Sequence, residues 1–179
     1  MNKTNNQKND SGTEKIAVTP FEQSAGLCGP AAMKILLSHF GKTFSEDELA
    51  RMCSATREEG TEHEGLIRAA KEIGGFVFEK EKGSMEELEY FIKEEKLPVI
   101  IGWFDGDGDH YSVVVSITDK NIVVVDPAEG KPERWLDKAT FSRIWFDFVG
   151  VGNSAVSWRW YMVITFEKKK FKIQDGRYH

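Results

Sequence analysis

Apolar and polar positions change their period near the middle of the chain. In the first half they recur at helical spacing. Ala32, Met33, Leu36, Leu37 and Phe40 fall on one face, Pro30 suits a first turn and Gly41 supplies a stop, so a helix opens beside Cys28. Three Ser/Thr residues with Glu three positions later, Ser45 with Glu48, Thr61 with Glu64 and Ser84 with Glu87, carry the capping-box pattern and predict three more helix starts. The second of these has Leu66, Ile67, Ala70 and Ile73 on one face, ends at Gly74-Gly75 and leads into a strand-like Phe76 to Glu79. From Leu97 onward the pattern is that of strands: Pro98 to Trp103, Tyr111 to Ile117, Ile122 to Val125 and a last one over Trp158 to Phe166. Asp119-Lys120-Asn121 predicts an antiparallel hairpin, and Phe141 to Phe148 a short helix. Helices followed by an antiparallel sheet give an α+β class, with an N-terminal helical part packed on a C-terminal sheet.

Residues 1–14 are polar and read as a disordered tail, ahead of one domain over 15–179, with Ile16 to Pro20 an extended lead-in. The tail lacks the apolar run of a signal peptide, and no stretch approaches the roughly 20 apolar residues of a membrane span. A formal charge of -5 argues against nucleic acid as the main partner. Two cysteines, Cys28 and Cys53, are too few for a disulfide framework and point to reduced thiols. Together these features predict a cytoplasmic protein. The run Lys168 to Lys170 reads as a solvated strand edge.

Cys28 carries the chemical interest. At a helix N-terminus a thiol faces unpaired N–H groups and the positive end of the helix dipole, which favours the thiolate; a buried, inert thiol is the plain alternative. Gln23 lies five residues earlier across small residues, and its amide, with the Cys28 N–H, is a candidate donor to an oxyanion. A thiol nucleophile needs a base, and four histidines are on offer. His179 is terminal and expected to be disordered. His39 sits on the Cys28 helix but about three turns along, roughly 16 Å away. His63, between Glu62 and Glu64, reads as a solvated surface residue. His110 remains, at the boundary of the Asp105-Gly106-Asp107-Gly108-Asp109 loop and an apolar strand. Asp126, before Pro127, ends the next strand at the same end of the hairpin, although a two-residue turn at Asp119-Lys120 sets it opposite Val113 unless the turn is centred nearer Thr118 or a bulge intervenes. The acidic loop opens like a calcium loop, but His110 and Ser116 stand where glycine and glutamate belong and a strand follows, so no metal or other cofactor is expected. A mobile loop beside the site is the better reading.

Gln23, Cys28-Gly29-Pro30-Ala31-Ala32, His110-Tyr111 and Asp126-Pro127, in that order, resemble the C39 and C39-like cysteine peptidases, which are papain-like enzymes. Gly60-Thr61 with Gly65-Leu66, Pro98-Val99-Ile100 and Gly130 add to a likeness that covers about residues 16–150. The resemblance implies a papain-like fold, Cys28 attacking a carbonyl, His110 shuttling the proton, Asp126 orienting the imidazole and Gln23 in the oxyanion hole. The step from Gln23 to Cys28 is one residue shorter than the papain-like pattern, whereas the sixteen-residue step from His110 to Asp126 matches the family. With neither membrane segments nor a phosphate loop in this chain, the likeness is to a stand-alone form acting on a peptide or protein. A transpeptidase or acyltransferase of the same fold, and a non-catalytic peptide-binding module, are the competing readings.

Overall fold

The computed structural model describes residues 15–150 and 152–179. The expected tail over residues 1–14 lies outside them. The first helix, α1 (Cys28–Ser38), packs against the sheet and is buried along almost its whole surface, with Lys34 and Ser38 the half-exposed exceptions. Helices α2 (Glu46–Cys53) and α3 (His63–Glu72) follow it, α2 packing on both α1 and α3. The Ser45–Glu48 and Ser84–Glu87 capping boxes both form, the second opening α4 (Met85–Tyr90), which continues into one π-helical turn over Phe91–Glu95. The Thr61 box does not form. Glu62 is the N-cap of α3, without a side-chain cap bond, because Thr61 is turned inward against the chain at Gly29.

Seven strands make an antiparallel sheet: β1 (Phe76–Lys80), β2 (Val99–Phe104), β3 (Asp109–Ile117), β4 (Asn121–Val125), β5 (Arg134–Asp137), β8 (Tyr161–Thr165) and β9 (Arg177–Tyr178). Their order is β5-β4-β3-β2-β8-β1-β9. Strands β6 (Phe146–Val149) and β7 (Ala155–Trp158) form a separate two-stranded sheet. The expected helix over Phe141 to Phe148 is therefore split: α5 spans Lys138–Ile144, capped by Asp137, and the chain then turns into β6. The expected strand over Trp158 to Phe166 is split too, at Arg159 with its left-handed backbone (φ 55°). His179 is ordered, pairing its backbone with Val77 in both directions and facing Glu79 through Nε2 at 3.1 Å.

One apolar cluster runs from α1 across β2, β3, β4 and β8, and includes the buried rings Trp103, Trp145 and Trp160. The small sheet inverts the usual alternation. Asp147 and Ser157 point inward and are buried, whereas Phe148, Val156 and Trp158 are exposed.

Candidate active site

Cys28 is the first residue of α1, and Leu27 at the N-cap makes no side-chain cap bond, so the cap residue does not compete for the positive end of this helix. Gly26, at φ +75°, lets the preceding loop pass directly beneath the Arg57 carbonyl, where a side chain would collide. Gly29 brings α1 against Thr61; a Cβ there would lie 2.8 Å from the Thr61 Cβ. The Ser24 N–H donates to the buried Glu46 carboxylate at 2.8 Å and the Gln23 N–H donates to the Pro127 carbonyl at 2.9 Å. These two bonds tie the loop before Cys28 to α2 on one side and to the residue after Asp126 on the other. The Gln23 Oε1 is buried and has no hydrogen-bond partner among the described residues.

The hairpin of β3 and β4 supplies the other two residues. Thr118 and Asn121 close the turn around Asp119-Lys120, and the pairing runs Ile117 with Ile122 and Ser116 with Val123. A bulge at Val115 then shifts the register, so that Val114 faces Val124 and Val113 faces Val125. One more step carries Asp126 to the level of Ser112 instead of Val113. Because strand side chains alternate, that single residue decides which face Asp126 occupies, and with the bulge it shares the face of His110. The Ile16 N–H donates to the carbonyl of the bulged Val115 at 2.9 Å, so the lead-in segment satisfies a group that the bulge frees.

His110 Nε2 meets Asp126 Oδ1 at 2.6 Å, and the ring also hydrogen-bonds Cys28, which leaves Nδ1 as the nitrogen toward the sulfur. All three residues are buried, Asp126 almost completely. Burial of the ring opposes its charged form, but the bonds to Asp126 and Cys28 outweigh it and push the imidazole up to about 10. Asp126 is held below the usual carboxylate range: burial works against ionisation, and the bonds from His110, the Ala128 N–H and Arg134 prevail. Cys53, by contrast, is raised to about 12 by burial, which outweighs the opposing charge of Arg68. The structure therefore brings Cys28, His110 and Asp126 together and places Gln23 beside Pro127 at their edge. The Asp105 to Asp109 loop is a closed turn: Asp105 Oδ1 accepts from the Asp107 and Gly108 N–H groups, and Asp109 accepts from the Phe148 N–H at 2.9 Å. Among the described residues no group of three His, Cys, Asp or Glu could hold a metal ion.

His63 is not the surface residue its acidic neighbours suggested. It is buried, meets Asp147 Oδ2 at 2.6 Å through Nε2 and stacks on Trp160 with centroids 3.8 Å apart. Its spacing to Leu66, Ile67 and Ala70, three, four and seven residues on, puts it on the apolar face of α3 and was the available signal. Tyr111 lies edge-on to this ring and donates to the Thr61 carbonyl at 3.0 Å. This second His–Asp pair thus braces the segment packed beneath Gly29.

The peptidase C39 family model matches residues 20–153. The chain belongs to the peptidase C39 family. A protein of Methanothermobacter marburgensis is 38% identical over 110 residues, covering 61% of this chain and 71% of that protein. In structure the family member resembles the peptidase domain of Streptococcus ComA, a bifunctional ABC transporter of a quorum-sensing pathway, with a TM-score of 0.65 at 19% identity, covering 85% of this chain and 99% of that domain. It also resembles a double-glycine-motif protease from an AMS/PCAT transporter, solved with its leader peptide, with a TM-score of 0.61 at 20% identity, covering 84% and 92%. The α+β, papain-like architecture expected from the sequence is the architecture these C39 domains share. Among the described residues no helix is long and apolar enough to cross a membrane.

Proposed function

We propose that this C39 family member is a cysteine peptidase that cleaves a peptide through a thioester on Cys28. The observation that carries the reading is the contact chain from Cys28 through His110 to Asp126, with the sulfur at the first position of α1. In this reading the attacking species is the Cys28 thiolate, and the imidazole, raised to about 10, carries its proton at neutral pH. The sulfur attacks the scissile carbonyl carbon; the oxyanion is met by the Cys28 N–H and the Gln23 amide. Collapse breaks the C–N bond as His110 gives its proton to the leaving amine. Water, losing a proton to His110, then attacks the thioester, and the acid product leaves the thiolate and imidazolium restored.

The inverted small sheet serves this site. Phe104 stacks on Phe146 at 5.5 Å, and Phe148 and Trp158 extend the cluster into solvent. The shelf begins opposite Asp109, the residue before His110, and takes apolar side chains of the peptide. Incubating the wild type and Cys28→Ser with an unbiased peptide library, and reading new termini by mass spectrometry, tests the reading: cleavage by the wild type alone supports it, and no cleavage, or equal cleavage by both, overturns it.

A further inference from the structure

The contact chain through His110 does not stop at Asp126. The Asp126 carboxylate accepts at Oδ1 from His110 Nε2 at 2.6 Å and from the Ala128 N–H at 3.0 Å, and at Oδ2 from Arg134 Nη1 at 2.6 Å. Arg134 lies on β5 opposite Val124, two residues before Asp126, so sheet pairing delivers it to the carboxylate. Its guanidinium carbon stands 5.0 Å from the centroid of the buried Trp103 ring, and that ring packs edge-on against His110 at 6.0 Å. Trp103 is fixed in turn by its Nε1–H donating to Ser112 Oγ at 3.1 Å. One indole thus supports both the catalytic imidazole and the guanidinium. Glu129 flanks Arg134 from outside, at 3.6 Å from Nε.

We propose that Arg134 is a positioning residue of the site, which holds the second oxygen of Asp126 and so sets both the orientation of the carboxylate and the charge that His110 meets. The proposal rests on the triad reading above. Two consequences follow from the geometry. With Oδ2 occupied by Arg134, the carboxylate presents Oδ1 to His110 in one orientation. With the guanidinium at its far side, the buried carboxylate is partly neutralised, and it grips the His110 proton less firmly than a lone carboxylate would. That matters because His110 must surrender this proton to the leaving amine. The titratable and charged groups around the ring are Cys28 from α1, Asp126 from the end of β4, Arg134 from β5 and, behind it, Glu129.

The test is the NMR titration of the His110 ring in the wild type, Arg134→Met and Arg134→Lys. Methionine keeps apolar contact with Trp103 and removes the charge; lysine keeps the charge and loses the planar fork. Loss of a positive charge at this range raises the His110 midpoint by about half a unit to one unit in Arg134→Met. In Arg134→Lys the midpoint stays at its wild-type value. A purely structural role for Arg134 lowers thermal stability and leaves both midpoints alone. An unmoved midpoint in Arg134→Met, or an equal rise in both variants, overturns the proposal. If Arg134→Met does not fold, Arg134→Gln, which also removes the charge, takes its place: a raised His110 midpoint supports the charge role and an unmoved one refutes it. Failure of the triad reading itself would look different, with a wild-type midpoint near 6.5 that neither Cys28→Ala nor Asp126→Asn moves.

Discussion

Replacing Asp126 with asparagine changes one charge and almost no volume at the most buried point of the site. In the wild type the imidazole is raised from 6.5 to about 10, so its pairing stabilises the fold fully below about 6.5 and loses that contribution as pH rises through about 10. A rise of that size corresponds to roughly 5 kcal/mol at about 1.36 kcal/mol per pH unit, shared between Asp126 and Cys28. A close charge pair at an effective dielectric of about 20 supplies on the order of 4 kcal/mol, so Asp126 carries the larger share. In Asp126→Asn the Arg134 guanidinium keeps the amide oxygen and turns the NH2 toward His110. Nε2 must then accept, the ring proton moves to Nδ1, and the nitrogen facing Cys28 can no longer take a proton. The expected outcome is a His110 NMR midpoint at or below about 6.5. Denaturant unfolding at pH 7 should lose about 3 kcal/mol, and the wild-type decline in stability between pH 6.5 and 10 should flatten. A variant midpoint still near 10, or a wild-type stability that is level across that window, would refute the reasoning.

Three further outcomes are expected. Asp147→Ala leaves buried His63 without its acceptor and lowers unfolding free energy by about 3 kcal/mol, read by denaturant titration; a loss under about 1 kcal/mol would mean the pair is not structural. Gly26→Ala forces a side chain at φ +75° into the Arg57 carbonyl, so Cys28 alkylation should slow at least tenfold, and an unchanged rate would show that the loop yields without disturbing the sulfur. Trp158→Ala should raise KM for a cleaved peptide by about tenfold, roughly 1.4 kcal/mol, with kcat unaltered; an unchanged KM would remove the aromatic shelf from substrate binding.

Much of the site's frame was legible in the sequence because it depends on local signals. The stripe from Ala32 to Phe40 and the glycines and proline around Cys28 place α1, two serine capping boxes place α2 and α4, and the apolar run Tyr111 to Ile117 with its turn places β3 and β4. Counting residues around the turn shows that either a turn centred nearer Thr118 or a bulge is needed between His110 and Asp126, and the bulge at Val115 is the one formed. What escaped depends on partners distant in the chain. Phe141, Ile144, Trp145 and Phe148 fall at helical spacing, yet Phe146 to Val149 is a strand paired with Ala155 to Trp158, which folds back on it. His63 looked solvated beside two glutamates, yet its partner Asp147 is 84 residues away. Thr61 matches a capping box, and the packing of Gly29 turns it inward instead. Arg134 sits among exposed residues of an edge strand, and nothing nearby in sequence marks it as the second partner of Asp126.

The pairing of Cys28 with His110 is tested most directly by alkylation with iodoacetamide at pH 6, followed by mass spectrometry, in the wild type and in His110→Ala. Cys53, buried and raised to about 12, serves as an unreactive internal reference. Fast modification of Cys28 in the wild type, slowed by about a hundredfold or more in His110→Ala, is the result expected of a thiolate held by an imidazolium. Equal, slow modification of Cys28 in both proteins would contradict it.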